Sequence, residues 1–370
     1  MKNRFFAIIG LIGLSFVLIS WGGTGHRKIS QASGLSFNIE MAQFNTWIVF
    51  LTSHASDADY RKSSDPTEGV KHYIDIDNYN EFIITGRIPQ TLDSAVAIYG
   101  ASFVNYNGVL PWATITTFDS LKSCFERRDW DKAMFFAADL GHYVADGHMP
   151  LHITKNYDGR DSGNSGIHSR YESTMINAYI SQFIYEGQET VEIQDVNKYI
   201  FDYLYSSYVF VDSVLLADDD AKKVNSNTYS TEYKQALWNE TKGFTIPLFS
   251  NASHAISELI YTAWLQAGSP LIVTNHVFDH EAERTFSLEQ IAPNPIRNST
   301  QITFNLTQKC DVLLQILSPT GQLITTLAQG QKEKGSYSIV WKPRNLQSGI
   351  YYVRLMSGQY TDIKKVVLVN

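Results

Sequence analysis

This chain of 370 residues has only two cysteines, no excess of basic residues and few long apolar runs. The two cysteines, Cys124 and Cys310, lie far apart in the sequence, which excludes a disulfide scaffold and a cysteine-based zinc site. Thirty Lys and Arg against 37 Asp and Glu give a net charge of -7, which argues against a broad basic surface for nucleic acid or anionic membrane. Any metal must therefore be held by the ten histidines and by carboxylates.

The one pronounced apolar run is N-terminal and short. Two basic residues, Lys2 and Arg4, precede about 15 apolar residues and then Ser20. A bilayer span needs about 20 apolar residues, so the pattern is typical of a secretory signal peptide over residues 1–20 and not of a membrane anchor. We therefore expect Trp21 to be the mature N-terminus, with no transmembrane segment in the mature protein.

Beyond the signal peptide, apolar residues recur at intervals of three and four, as in amphipathic helices. The stretches with this spacing are 129–147, 169–185, 231–242 and 252–266. Strand-like alternation is scarce in this region, and polar or proline-containing segments separate the helical stretches. The sequence predicts an all-α domain over residues 21–272.

The sequence pattern changes from helical to strand-like after a charged linker, which is predicted over residues 273–286. Short runs of alternating apolar and polar residues then follow, separated by Gly, Pro and Asn. These runs are 301–306, 312–317, 337–341, 350–355 and 364–369. Their number and spacing predict a small antiparallel β-sandwich over residues 287–370.

Several short motifs in this C-terminal segment form a recognisable pattern. They are Asn294-Pro295, Thr303-Phe304, Gly321, Trp341, Gly349-Ile350-Tyr351 and a terminal Lys-Lys-Val-Val-Leu. The pattern resembles the C-terminal sorting domain of the type IX secretion system. The resemblance implies contact with the type IX machinery, translocation across the outer membrane, and a final location in the medium or on the cell surface. An ordinary carbohydrate-binding or adhesive sandwich is the alternative.

The most informative stretch for chemistry is His142-Tyr-Val-Ala-Asp146-Gly-His-Met-Pro-Leu-His152. His142 and Asp146 are four residues apart on a predicted helix, so they share one face at about 6 Å and can bind the same metal or neighbouring metals. Pro150 ends the helix, which lets His152 turn back towards the same cavity.

A second helical pair, His168 and Glu172, has the same four-residue spacing. One such pair is more often a surface hydrogen bond, but two pairs that flank a third histidine favour a metal site. Further candidates upstream are His26, Asp57, Asp59 and His72. Imidazole and carboxylate without thiolate suit zinc, while ligand type alone leaves manganese or iron open.

In this order, "HYVADGHMPLH" followed by "HSRYE" resembles the zinc-dependent phospholipase C family, whose fold is shared with secreted single-strand-specific nucleases. The resemblance spans most of residues 21–172 and implies a helical catalytic domain with a cluster of three zinc ions. By position it assigns the first zinc to Asp59, His72, His142 and Asp146. It assigns the second to His152, His168 and Glu172.

The third zinc implied by the resemblance would take the α-amino and carbonyl groups of Trp21, with His26 and a second oxygen of Asp146. An α-amino group has a pKa near 8 and can bind a metal when neutral, so signal-peptide removal would complete this site. Asp57 stays open as an alternative to Asp59 in the first site.

The resulting hypothesis is a secreted phosphodiesterase in which zinc-bound hydroxide attacks the phosphorus while Asp59 orients the water or acts as general base. Three dications would bring roughly +6 to the cleft, so an acidic protein could still attract a phosphate group.

Glu172 resembles the phospholipase branch and favours phospholipid substrates. The step from Trp21 to His26, and the sequence after His72, resemble the nuclease branch. A single-strand-specific nuclease or 3'-nucleotidase, which would form no stable nucleic-acid complex, is thus the alternative, and a non-catalytic zinc-stabilised surface module is a third hypothesis.

Overall fold

The computed structural model describes residues 22–272, 286–289, 291–318, 323–344, 346–357 and 360–369. The predicted signal peptide, Trp21 and all but the last residue of the predicted linker lie outside the described residues. The chain divides between Ile272 and Val273 into two compact units. The first is helical and the second consists of antiparallel sheets, which confirms the predicted fold class.

The helical unit contains both long helices and several short ones. The α-helices are α1 Gly22–Ser33, α2 Trp47–Ser53, α3 Asp57–Arg61, α4 Asn80–Thr85, α5 Leu92–Tyr99, α6 Ala101–Tyr106, α7 Leu110–Arg127, α8 Trp130–Gly147, α9 Ile167–Ser169, α10 Ile176–Tyr179, α11 Val196–Tyr208, α12 Val211–Val224 and α13 Thr231–Gln266. Short 3-10 helices lie at Gly34–Ser36, Glu40–Phe44, Gly69–His72, Ile76–Asn78, Pro150–His152, Arg160–Ser162 and Ile180–Gln182, and a π-helical turn lies at Arg170–Met175.

Helices α7 and α8 form a hairpin that sets the direction of α8. Arg128 takes a left-handed conformation with φ of 58° and ends α7. Asp129 accepts a hydrogen bond from the Lys132 backbone N–H at 3.4 Å and caps the start of α8. The motif residues His142 and Asp146 therefore lie in the last two turns of α8.

Helix α13 is a single helix of 36 residues that passes through Pro247. The two helical stretches predicted at 231–242 and 252–266 are thus parts of one element. Proline inside a helix removes a backbone hydrogen bond and costs about 3 kcal/mol. Here fully buried side chains on both sides of it, such as Leu237 and Ile260, pack into the core and hold the helix together.

By length and composition alone, residues Val196–Val224 are apolar enough to cross a membrane. This stretch is two helices, α11 and α12, and its side chains Phe201 and Val214 are fully buried in the core of the helical unit. The same stretch contains the buried, ion-paired Asp218. The two helices therefore belong to the packed core.

The second unit has seven strands in its described residues. They are β1 Phe286–Leu288, β2 Thr300–Leu306, β3 Cys310–Leu317, β4 Leu323–Lys332, β5 Gly335–Trp341, β6 Gly349–Ser357 and β7 Tyr360–Leu368. They form two antiparallel sheets with the orders β1-β2-β5 and β4-β3-β6-β7. Side chains from both sheets, including Phe304 and Leu314, share one hydrophobic core.

Two strands were not predicted from sequence. Strand β1 begins at Phe286, the last residue of the predicted linker, and is only three residues long. Strand β4 contains Gln329, Gly330 and Gln331, so apolar and polar residues alternate only weakly along it. Its pairing with β3 also shifts register between Leu314 and Gln315, which breaks the period of two along the strand pair.

Candidate metal centre

The centre of the site is the C-terminal end of α8. His142 and Asp146 are 1% and 0% exposed, and His142 Nε2 lies 3.4 Å from Asp146 Oδ2. The four-residue spacing on a helix accounts for this approach. Both side chains point into the interior of the unit, where a charged carboxylate is stable only with partners.

Asp59 on α3 and His72 at the end of the short helix Gly69–His72 approach the same point. His72 Nδ1 lies 2.9 Å from Asp146 Oδ2 and 3.0 Å from His142 Nε2. Asp59 Oδ1 lies 3.7 Å from both of those imidazole nitrogens and 2.7 Å from Lys62 Nζ. Residues separated by more than 80 positions in sequence are thus brought into one buried group.

His26 joins the group from α1. Its ring stacks on that of His142 with centroids 4.0 Å apart, and its Nε2 lies 3.5 Å from Asp146 Oδ1. Helix α1 begins one turn earlier at Gly22, where φ is +47° and an added Cβ would come within 3.0 Å of Ser173 Oγ. Glycine therefore allows the start of α1 to approach the segment that follows Glu172.

A second group of donors consists of His152, His168 and Glu172, all at most 5% exposed. Glu172 Oε2 lies 3.4 Å from His152 Nε2 and 3.2 Å from His168 Nε2. Helix α8 ends at Gly147, and Pro150 opens the short helix that returns His152 to the cluster. His152 Nδ1 lies 3.6 Å from Asp146 Oδ1, so Asp146 connects the two groups.

Arg170, between the predicted ligands His168 and Glu172, faces away from the cluster. It donates two hydrogen bonds from Nη2 to the buried Asp218 on α12, at 2.9 and 3.0 Å. Lys222 Nζ at 2.5 Å, Asn164 Nδ2 at 2.9 Å and the Tyr233 hydroxyl also contact the Asp218 carboxylate. This network attaches the π-helical turn to α12 and α13.

Backbone carbonyls orient two of the histidines. His142 Nδ1 lies 2.7 Å from Ala55 O, and His152 Nδ1 lies 2.7 Å from His72 O. The backbone N–H of Ile74 in turn donates to His152 O at 2.8 Å. These contacts leave the Nε2 atoms of both rings directed at the carboxylates, as is usual for imidazoles that bind a metal.

The charges in the cluster strongly perturb one another. Burial alone would lower the pKa of His142, but the carboxylates of Asp146 and Asp59 raise that pKa to about 9. Burial together with His142 holds the pKa of His26 well below its usual value. Burial would raise the pKa of Asp146, yet His142 and His152 hold it well below the ordinary range.

Glu68 was not singled out from the sequence, because nothing in its local pattern marks it. It is 1% exposed, and its Oε1 lies 3.5 Å from His72 Nε2. Tyr143 OH donates to Oε1 and Lys71 Nζ to Oε2 at 2.9 Å. Burial would raise the pKa of Glu68, but the nearby His72 and the hydrogen bonds from Tyr143 and Lys71 lower it overall. Glu68 is therefore a buried carboxylate anion beside the cluster.

Other candidates from the sequence lie elsewhere. Asp57 is the first residue of α3 and its Oδ2 lies 2.6 Å from His54 Nδ1 at the half-exposed surface, away from the buried group. His148 Nδ1 lies 2.8 Å from Val144 O, and its ring stacks on Tyr203. Trp21 lies outside the described residues.

The donors fit zinc. Three sets, each with ligand atoms within 4.8 Å of one another, consist of His26, His142 and Asp146; of Asp59, His72 and His142; and of His152, His168 and Glu172. Asp59 Oδ2 is buried and has no hydrogen-bond partner within the described part of the chain. Burying several carboxylates against neutral imidazoles is costly unless cations compensate, and an oxygen and nitrogen donor set without thiolate suits zinc.

Residues 290–369 match the family described as "Secretion system C-terminal sorting domain". This match confirms the type IX sorting domain predicted from the sequence. The chain is therefore exported, either to the cell surface or into the medium. The sorting domain implies an interaction with the secretion machinery.

Among solved structures, the chain is similar to the alpha-toxin from Clostridium absonum, with a TM-score of 0.43 and 10% identity, covering 95% of this chain and 98% of that chain. It is also similar to the Clostridium perfringens alpha-toxin isolated from avian strain SWCP, with a TM-score of 0.39 and 12% identity, covering 94% and 93%. No curated protein matches the sequence.

Proposed function

We propose that the helical unit, residues 21–272, is a zinc-dependent phosphodiester hydrolase with three zinc ions. The observation that carries the proposal is the convergence of three buried, thiol-free donor sets at the end of α8. His142 belongs to two of these sets, and Asp146 contacts residues of all three. Sites that can hold several neighbouring dications are typical of enzymes that hydrolyse phosphate esters.

The proposed ligands follow the three sets. One ion would be held by Asp59, His72, His142 and Asp146, a second by His152, His168 and Glu172, and a third by His26, Asp146 and the terminal amino and carbonyl groups of Trp21. When bound, zinc would supply positive charge for the phosphoryl oxygens and lower the pKa of water. The buried carboxylates around it would then be neutralised without protons.

Asp59 is the proposed general base. Its Oδ1 faces Lys62 and the imidazoles of His72 and His142, whereas its Oδ2 is buried with no hydrogen-bond partner in the described residues. An oxygen in this state can accept a hydrogen bond from the attacking water and take its proton. Lys62 Nζ, 2.7 Å from Oδ1, pairs with the other oxygen of the carboxylate and so leaves Oδ2 for the water.

Phospholipids are the first substrate class to test. The carboxylate that completes the second donor set is a glutamate, Glu172, and this choice resembles the phospholipase C branch of the family. We propose hydrolysis of the phosphodiester on the glycerol side, as in phospholipase C.

A second candidate function, a single-strand-specific nuclease or 3'-nucleotidase, is favoured by the segment after His72. Tyr73 and Asp75 are partly exposed and alternate with the buried Ile74, so both point to the outer side of the segment. Burial and nearby Asp77 raise the pKa of Asp75 to about 7, so its carboxyl group can donate as well as accept near neutral pH. An aromatic ring and a carboxyl group in the segment that follows the proposed ligand His72 suit a stacked, hydrogen-bonded nucleobase.

The discriminating experiment uses the purified mature protein with three substrates: phosphatidylcholine vesicles, single-stranded DNA and bis(p-nitrophenyl) phosphate. Each is measured as isolated, after chelator treatment, and after zinc is restored. Chelator-sensitive turnover of lipid alone supports the phospholipase, and turnover of DNA alone supports the nuclease. Zinc binding without turnover of any substrate would support a non-catalytic surface module and refute the enzyme.

A matched pair of variants tests the role of Asp59. Because general-base catalysis contributes roughly 100-fold or more, Asp59→Asn should lower kcat by at least that factor. Asp57→Asn, two residues away on the same helix, removes the same charge from a surface contact with His54 and should leave kcat within about twofold. Equal losses in both variants would contradict the assignment of Asp59.

A further inference from the structure

Glu68 and His72 form a contact on the side of the ring that faces away from the donor cluster. Glu68 immediately precedes the short helix that ends at His72. His72 Nδ1 faces Asp146 Oδ2 at 2.9 Å and His142 Nε2 at 3.0 Å, while Nε2 on the opposite side of the ring lies 3.5 Å from Glu68 Oε1. The ring therefore bridges the donor cluster and the Glu68 carboxylate.

Glu68 itself is held firmly. The Tyr143 hydroxyl donates to Oε1, and Lys71 Nζ lies 2.9 Å from Oε2. Arg61 Nη2 lies 3.4 Å from Oε1 and is fixed in turn by Asp139 at 2.9 Å. A carboxylate with this many donors has a defined position and is 1% exposed to water.

His72 differs in this respect from two neighbouring histidines. His142 Nδ1 and His152 Nδ1 each make a 2.7 Å contact with a neutral backbone carbonyl, Ala55 O and His72 O respectively, although His152 Nδ1 also lies 3.6 Å from Asp146 Oδ1. For His72 the group on that side is the Glu68 carboxylate at 3.5 Å, and among the described residues no hydrogen bond to a backbone carbonyl competes with it. An anionic acceptor holds the imidazole proton more strongly and makes the opposite nitrogen a better metal ligand.

We propose that Glu68 is a positioning residue for the metal centre: it keeps the proton of His72 on Nε2 and so directs Nδ1, as the donor atom, to the ion shared with Asp59 and His142. This inference rests on the proposed zinc function. The proton stays on the imidazole throughout, and no covalent step is involved.

The test is the zinc affinity of the chelator-treated mature protein, measured by competition with a chromophoric chelator. Glu68→Gln keeps the size of the side chain and removes its charge. Loss of such a partner typically weakens a metal site by 10- to 100-fold, and we expect this loss for one zinc ion. Glu258→Gln is the matched control, because Glu258 is a buried carboxylate that contacts His254 Nε2 at 3.3 Å and accepts from Tyr199 OH at 2.6 Å.

Glu258→Gln should bind all its zinc within about twofold of the wild-type affinity. Circular dichroism of the zinc-free proteins checks that both variants are folded. If Glu68→Gln does not fold, Tyr143→Phe replaces it: this variant removes one donor to Glu68, and we expect zinc affinity to fall about threefold or more. Wild-type affinity in a folded Glu68→Gln variant, or in Tyr143→Phe where that variant replaces it, overturns the proposal. A wild-type protein that binds no zinc refutes the zinc function instead.

Discussion

Replacing Asp218 by asparagine removes the charge at the centre of the network that anchors Arg170. Asp218 is fully buried, and Arg170 and Lys222 both pair with it while Tyr233 and Asn164 donate hydrogen bonds. Removing one partner of a buried ion pair costs roughly 3–5 kcal/mol, because the remaining charge is left uncompensated. Lys222 is 27% exposed and water screens it in part, so we expect about 3 kcal/mol.

This loss is large beside a net stability of roughly 5–15 kcal/mol. The assay is urea unfolding of the zinc-free protein at pH 7, followed by circular dichroism. Asp220→Asn is the matched control on the same helix, since Asp220 pairs with Lys223 at the exposed surface and should lose less than about 0.5 kcal/mol. Equal stability of the two variants would refute the reasoning.

The same carboxylate also predicts a pH dependence. Burial would raise the pKa of Asp218, but Lys222, Tyr233, Asn164 and Arg170 together lower it below the ordinary value of 3.8. A group whose folded pKa is depressed stabilises the protein fully above its unfolded pKa, and loses that contribution as pH falls. The difference between wild type and Asp218→Asn should therefore shrink below about pH 4. A difference that stays constant across that range would show that charge is not its cause.

Three further predictions concern the metals and the export signal. His152→Ala should lose one zinc ion by elemental analysis, because it removes one of three donors in its set; full zinc content would contradict the ligand assignment. One extra residue before Trp21 should abolish binding of the third zinc ion, because the α-amino group would move away from the site. An extended protein that still binds three zinc ions would contradict the terminal-amine site. A protein that lacks residues 290–369 should stay in the periplasm, because those residues are the sorting domain. Immunoblotting of cell fractions measures this, and appearance of the shortened protein in the medium would contradict the role.

Most of the architecture was predictable because it depends on local patterns. The three- and four-residue spacing of apolar side chains indicated the helices, and the period of two indicated most of the sandwich strands. The continuity of α13 through Pro247 was not predictable, since the local rule favours a break and burial of residues such as Leu237 and Ile260 outweighs it.

The candidate site was likewise predictable from sequence only in part. The four-residue spacing of His142 and Asp146 and the turn at Pro150 can be seen in the sequence, and the structure brings His152 back to the cluster. The resemblance assigned Asp59 and left Asp57 open, and the structure brings Asp59 into the buried group while Asp57 contacts His54 at the surface. Glu68 could not be recognised at all, because its contact with Tyr143 joins residues 75 positions apart.

The reciprocal backbone contacts between the segments of His72 and His152 have a thermodynamic consequence. His152 Nδ1 contacts His72 O, and the backbone N–H of Ile74 donates to His152 O. Ordering one of these two segments therefore orders the other. An ion that fixes His72 would lower the entropy lost when a second ion fixes His152, and linkage requires the same benefit in reverse. Zinc loading of the first two sites should then be cooperative, in the sense that an ion in one site raises the affinity of the other site for its ion.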